Sequence, residues 1–216
     1  SMHTPLTKTG EHPSFHLINL PQLQLLKTGA VLLNCGRGPV INNADLLRFL
    51  TERDDVRVVL DVWEPEPDIS LDLLDKVVLG SPHIAGYSYD GKLKGTEMIY
   101  HALCKHLNRI PELSIKDLVP PLANNQLDVV EEQTTWEQVK RLIAQVYSIA
   151  NDDKRLRALA ERARKGEDNF AIGFDNLRKH YPTRREFHNY QVLGVDDKTA
   201  EWLKVLGFGV APAVND

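Results

Sequence analysis

Cysteine is nearly absent. The 216 residues contain two, Cys35 and Cys104, far apart and with no CxxC or Cys/His spacing around either. That excludes a disulfide framework and a structural zinc site as organising devices; no metal is expected, and two buried thiols in a reducing cytosol is the plain reading. Long apolar runs are missing too: none reaches the ~20 residues that span a bilayer, and no signal peptide opens the chain. The expectation is a soluble, cytoplasmic protein without a membrane partner. Positive charge is not in excess. Lys and Arg number 26 against 30 Asp and Glu, for a net charge of -4 and a pI near 6.1, so no nucleic-acid partner is expected. The densest basic stretch, KRLRALAERARK (154–165), interleaves its charges with Leu156, Leu159, Ala160 and Ala163, as the wet face of an amphipathic helix does. Finally, no complete G-x-G-x-x-G or P-loop occurs anywhere in the chain, so no dinucleotide or nucleotide phosphate cradle is written in it.

What the chain does hold is an alternation. AVLLNC (30–35) and VRVVLDVW (56–63) are short runs apolar on both faces, and KVVLGSPHIAG (76–86) supplies a third. Between the first two, NNADLLRFL (42–50) offers Asn42 or Asn43 as a cap and sets Leu46, Leu47 and Leu50 on one helical face. Strands with no polar face, separated by helices, predict an α/β fold with a parallel sheet covered on both sides. Such sheets bind their ligands at the carboxyl ends of the strands. Just past those ends stand Arg37 in NCGRGPVINN (34–43), the acids Asp61, Glu64 and Glu66 in LDVWEPEP (60–67), and His83. Singly, each has a dull explanation: an arginine in a turn, glutamates in a loop beside prolines, a structural histidine. Their arrival at one edge from three strands is what favours catalysis. A phosphate cradle at GRG is set aside, because Pro39 has no N–H to donate and the two glycines complete no fingerprint.

After His83 the texture changes. A helix is expected over 89–108, with Ile99, Leu103 and Leu107 in register, then a proline-rich linker over 110–125. Beyond it come a short strand at Leu127–Val130 and a strongly amphipathic helix through Trp136, Val139, Leu142, Ile143, Val146 and Tyr147. Helices near 152–164 and 174–181, a strand at 187–195, a helix at 197–207 and a last strand in FGVAP follow. This is a small α+β module with no convergent acids, no His pair and no Gly-rich loop.

The blocks HTPLT (3–7), LKTGAVLLNCGRGPVINNADLL (26–47), LDVWEPEP (60–67) and SPHIAG (81–86) resemble, in order and spacing, the signature blocks of the NAD-dependent D-2-hydroxyacid dehydrogenases. GYSYDGKLKGT (86–96) and the appended module are similar to a member of that family that carries an additional C-terminal dimerisation domain. The resemblance implies the second half of a doubly wound parallel-sheet NAD-binding domain with its return helix (1–110), followed by a small α+β dimerisation domain (117–216). It implies NAD as cofactor, a small phosphorylated 2-hydroxy acid as substrate, and a homodimer. Carried over by position, Arg37 grips the substrate carboxylate, His83 takes the C2 hydroxyl proton, and Glu66 holds the imidazole. Thr4, Cys35, Gly36, Arg37, Asp61 and Gly86 match cofactor positions, and Tyr87 a substrate position. Glu64 matches no role and is expected to be solvated. Because the family's glycine fingerprint is absent and Ser1-Met2 reads as a cloning scar, the chain is expected to be a C-terminal portion with little activity of its own. The competing readings are a non-catalytic assembly fragment and a phosphoglycerate-type dehydrogenase.

Overall fold

A computed structural model describes residues 5–130 and 134–211. In chain order the elements are α1 (Leu20–Gln24), β1 (Val31–Asn34), α2 (Asn43–Glu52), β2 (Arg57–Leu60), α3 (Leu71–Lys76), β3 (Leu79–Gly80), α4 (Tyr89–His106), α5 (Ile115–Leu118), α6 (Thr135–Val146), α7 (Ile149–Arg164), α8 (Phe170–Lys179), β4 (Gln191–Leu193), α9 (Asp197–Leu206) and β5 (Gly209–Ala211). The chain divides into two compact units and alternates between them. The first holds Ser1–Ala85 and Ile149–Tyr181, the second Gly86–Ser148 and Pro182–Asp216.

The first unit is built on a parallel sheet, ordered β1-β2-β3. Leu33 pairs with Val59 and Asn34 with Leu60, and Leu60 in turn with Gly80, so the three strands end at one edge. Asn42 caps α2 by accepting from Ala44 and Asp45 N–H, and Ser70 caps α3 through Leu73 N–H, each satisfying donors that a helix start leaves open. Leu46, Phe49, Val58, Leu60, Trp63, Leu73 and Leu74 form the core, and Leu156, Leu159, Ala160 and Phe174 of α7 and α8 complete it. A linear split near residue 110 therefore does not describe this packing. Helical periodicity shows that α7 and α8 have an apolar face; it does not show what that face meets.

The second unit pairs β4 with β5 in parallel, joined by α9. Its core is Leu127, Val139, Leu142, Val192, Leu203 and Phe208, with Phe187 stacked on Phe208 at 4.4 Å between ring centroids. A buried ion pair organises it. Arg185, 9 % exposed, donates from Nε to Asp90 at 3.0 and 3.1 Å and from Nη1 to Pro120 O at 3.1 Å. Asp90 also accepts from Glu186 N–H at 2.7 Å.

Three expected elements differ here. Leu127–Val130 is not a strand: the side-chain amide of Gln145 takes both backbone groups of Asp128, at 3.0 and 2.8 Å, and only the bridge Gln126–Gln191 remains. The run 187–195 opens as a 3-10 turn, Phe187–Asn189, and leaves three residues of strand. The expected linker contains α5. No helix among the described residues is long and apolar enough to cross a membrane.

Candidate functional site

Arg37 owes its place to the residues around it. Asn34, the last residue of β1, is 4 % exposed. Its Oδ1 accepts Gly36 N–H at 3.2 Å and its Nδ2 donates to Arg37 O at 3.0 Å, folding the strand end into a tight turn. Gly38 follows where a side chain has no room: a Cβ there would lie 1.7 Å from Trp63 O. The Arg37 side chain stays exposed, with Nη1 donating to Gly36 O at 2.9 Å as its one hydrogen bond among the described residues. A rigid, always-charged fork held this way suits a planar carboxylate.

The end of β2 carries a different arrangement. Asp61 is 3 % exposed, and both its oxygens are engaged: Oδ1 accepts from Ser81 Oγ at 2.6 Å and Ile84 N–H at 2.8 Å, and Oδ2 from Ala85 N–H at 3.0 Å. Asp61 thus nails the loop after β3 to the end of β2. Glu66 accepts Trp63 N–H on Oε1 at 2.8 Å and meets His83 Nδ1 with Oε2 at 2.7 Å. His83 adopts a left-handed backbone, φ 55°, a conformation costing a residue with a Cβ on the order of 1 kcal/mol. The loop compensates by fixing it: His83 N–H donates to Asp61 O at 2.7 Å. A carboxylate on Nδ1 selects the tautomer with the proton there, which leaves Nε2 as an acceptor. The pair is one-third to one-fifth exposed, 33 % and 21 % for the two side chains, so it is held yet reachable.

A second histidine–glutamate pair escaped the sequence reading. Glu64 is not solvated: His16 Nε2 lies 2.8 and 2.9 Å from its two oxygens, and Glu64 N–H donates to Asn43 Oδ1 at 3.0 Å. Phe15 stacks on the His16 ring at 3.9 Å, and His16 N–H donates to Pro39 O at 2.8 Å. The pair ties the 14–19 segment to the loops after β1 and β2. A partner 48 positions away leaves no local signal; the alternation of acid and proline in EPEP, which sends Glu64 and Glu66 to different histidines, was the available hint.

The other expected positions fall as follows. Cys35 is exposed, not buried, and Cys104 is buried. Partial desolvation, with the Asp61 carboxylate as a smaller cause, raises the Cys35 thiol above its ordinary value. Gly36 gives its N–H to Asn34 and so contributes a turn, not a free donor. Gly86 and Tyr87 belong to the second unit, where Lys92 Nζ sits 3.7 Å above the Tyr87 ring; a Cβ on Gly86 would meet nothing within 4 Å. Thr4 lies outside the described residues. No metal-ligating cluster occurs among the described residues.

Residues 1–85 match the D-isomer specific 2-hydroxyacid dehydrogenase, NAD binding domain, and residues 118–207 match a domain of unknown function, DUF3410. The erythronate-4-phosphate dehydrogenase of Cellvibrio japonicus is 59% identical over 210 residues, covering 96% of this chain and 56% of that protein. That of Proteus mirabilis is 43% identical over 208 residues, covering 96% and 53%. The chain thus spans about half the length of the curated relatives it matches. Among solved structures, the D-mandelate dehydrogenase of Rhodotorula graminis overlaps 36% of this chain and 23% of its own, at 32% identity and a TM-score of 0.34.

Proposed function

From a chain homologous to the erythronate-4-phosphate dehydrogenases over about half their length, we propose that these residues are the hydride-transfer half of an NAD-dependent enzyme. In pyridoxine biosynthesis it would oxidise 4-phospho-D-erythronate at C2 to 2-oxo-3-hydroxy-4-phosphobutanoate. The observation that carries the reading is the 2.7 Å contact between His83 Nδ1 and Glu66 Oε2 at the sheet edge where β1 also delivers Arg37. His83 Nε2 accepts the C2 hydroxyl proton, and Glu66 stabilises the imidazolium so formed. Arg37 pairs with the substrate carboxylate and polarises the C2 oxygen. NAD, when bound, supplies the hydride acceptor. The group present that suits its nicotinamide end is the turn Cys35–Arg37 at the end of β1, where Cys35 and Arg37 are exposed. Asp61 serves this end by holding the His83 loop, and any contact of its own to the cofactor must share oxygens already engaged.

The test is an assay of the full-length protein containing this chain, with 4-phospho-D-erythronate and NAD. His83→Gln lowers kcat by about 10²–10⁴, and Arg37→Ala weakens both KM and kcat with NAD affinity little changed. Unaltered turnover by His83→Gln overturns the assignment; a clear preference for 3-phosphoglycerate moves it to the phosphoglycerate-type reading. The same proposal makes the second unit a homodimer surface. Trp136 and Trp202 lie edge to face at 6.4 Å yet remain 56 % and 40 % exposed, and Val205 beside them is 83 % exposed, a concentration of apolar area that monomers seldom leave to water. A monomer mass in sedimentation at micromolar concentration contradicts it.

A further inference from the structure

The segment Gly80–His83 is gripped at both ends by α7 and α8, which lie inside the stretch matching a domain of unknown function. Gly80 ends β3 with an N–H that a further strand would ordinarily take; Asp153 Oδ1 of α7 accepts it at 2.7 Å. Three residues on, His83 C=O accepts from Arg178 Nε of α8 at 3.4 Å.

Each helix is fixed independently of these two bonds. Arg157 Nε donates to both oxygens of Asp153 at 3.0 and 2.9 Å, orienting the carboxylate that receives Gly80. Its other nitrogens donate to Leu74 O and Val77 O at 2.8 and 2.9 Å, closing the end of α3. Tyr181 Oη donates to Asp152 at 2.8 Å, locking the end of α8 to the start of α7. Phe174, Leu156 and Leu159 are 0–1 % exposed in the core shared with the sheet. The brace is therefore rigid before it touches the loop.

His83 itself has three handles. Residues within 1–85 hold two of them: N–H on Asp61 O, and Nδ1 on Glu66. The carbonyl is the third, and Arg178 is its partner. In a left-handed residue the carbonyl direction sets how the following peptide leaves, and Ile84 and Ala85 leave directly onto the Asp61 carboxylate. We propose that α7 and α8 are a positioning brace for the proton-accepting histidine, with Arg178 the positioning residue at the carbonyl and Asp153 its counterpart at Gly80. The consequence for turnover rests on the catalytic reading of His83; the brace itself does not.

The test separates the two. Ring ¹⁵N–¹H spectra of His83 are recorded in this chain for wild type, Arg178→Met, Arg178→Lys, Asp153→Ala and the exposed control Lys179→Ala, with circular dichroism melting to establish folding. Methionine keeps the apolar stem and removes the donor. In Arg178→Met and in Asp153→Ala the His83 ring resonances move, and the Ile84 and Ala85 amides exchange about tenfold faster; Arg178→Lys restores part of the shift and Lys179→Ala has none. Unchanged ring resonances in either folded variant, or an equal change in Lys179→Ala, overturn the brace. In the full-length protein Arg178→Met lowers kcat with KM for NAD unchanged. If that protein does not oxidise 4-phospho-D-erythronate at all, the proposed function falls while the spectra still decide the brace.

Discussion

Replacing Gly38 by alanine is the sharpest perturbation available in the first unit. The added Cβ would stand 1.7 Å from Trp63 O and 2.3 Å from Trp63 C, where carbon and oxygen normally approach no closer than about 3.3 Å. The obstacle is backbone, so no rotamer change relieves it; one strand-end loop must move by about 1.6 Å, the difference between the oxygen's two distances. Trp63 resists. It is 1 % exposed, its Nε1 donates to Ser81 O at 2.9 Å, and its N–H holds Glu66 at 2.8 Å. The cost belongs at the upper end of overpacking, about 3 kcal/mol, which for a unit of this size lowers the melting temperature by ~10 °C. The damage also travels, because Trp63 N–H is what positions Glu66 opposite His83. Calorimetry on Gly38→Ala, with Gly95→Ala as internal reference, reads it directly. Gly95 lies within α4 with nothing inside 4 Å of a Cβ, so that change stabilises the helix by up to about 1 kcal/mol. A Gly38→Ala protein melting within ~2 °C of wild type would show that the GRG loop and the Trp63 loop are not packed as described.

Other tests are quicker. The Asp196 carboxyl, which caps α9, is held below its ordinary value first by the Thr199 hydroxyl and then by its N–H. A depressed folded value means stability present above the unfolded value and lost as pH falls through the folded one; amide exchange should therefore show α9 loosening first on acidification below the carboxylate range, with the pH dependence flattened in Asp196→Asn. Cys35, exposed but raised by desolvation and Asp61, should alkylate more slowly than a free thiol at neutral pH and accelerate as the solution becomes alkaline, while Cys104 stays protected; mass spectrometry of both sites distinguishes this from equal labelling. Isothermal titration of this chain with NAD should give no tight binding, since pyrophosphate affinity in such folds comes from a glycine turn these residues do not contain; micromolar affinity refutes that.

Much of the first unit could be read from residues, because its signals are local. AVLLNC and VRVVLDVW are apolar on both faces and became β1 and β2, and the positions just past them hold Arg37 and Glu66. The third strand was legible as an apolar run, yet only Leu79–Gly80 pairs with β2. What stayed hidden depends on partners distant in sequence. Glu64 finds His16, Asp61 spends its oxygens on the loop after β3, and α7, far along the chain, packs in the core of the first unit. At Asp128, a glutamine amide mimics a neighbouring strand, a substitution that propensity cannot register.

The alternation of the chain between units bears on how the protein is made. Ser1–Ala85 leaves the ribosome well before Leu156, Leu159, Ala160 and Phe174, all nearly inaccessible to water in the finished core, which emerge only after α4, α5 and α6. Until about residue 181 has left the exit tunnel, β3 has an open edge and the sheet an uncovered apolar side, the condition that invites wrong pairing during synthesis. A stop codon or protease cut anywhere between residues 86 and 148 would therefore leave a product lacking part of both units, and neither unit can be obtained from this gene by a single cut.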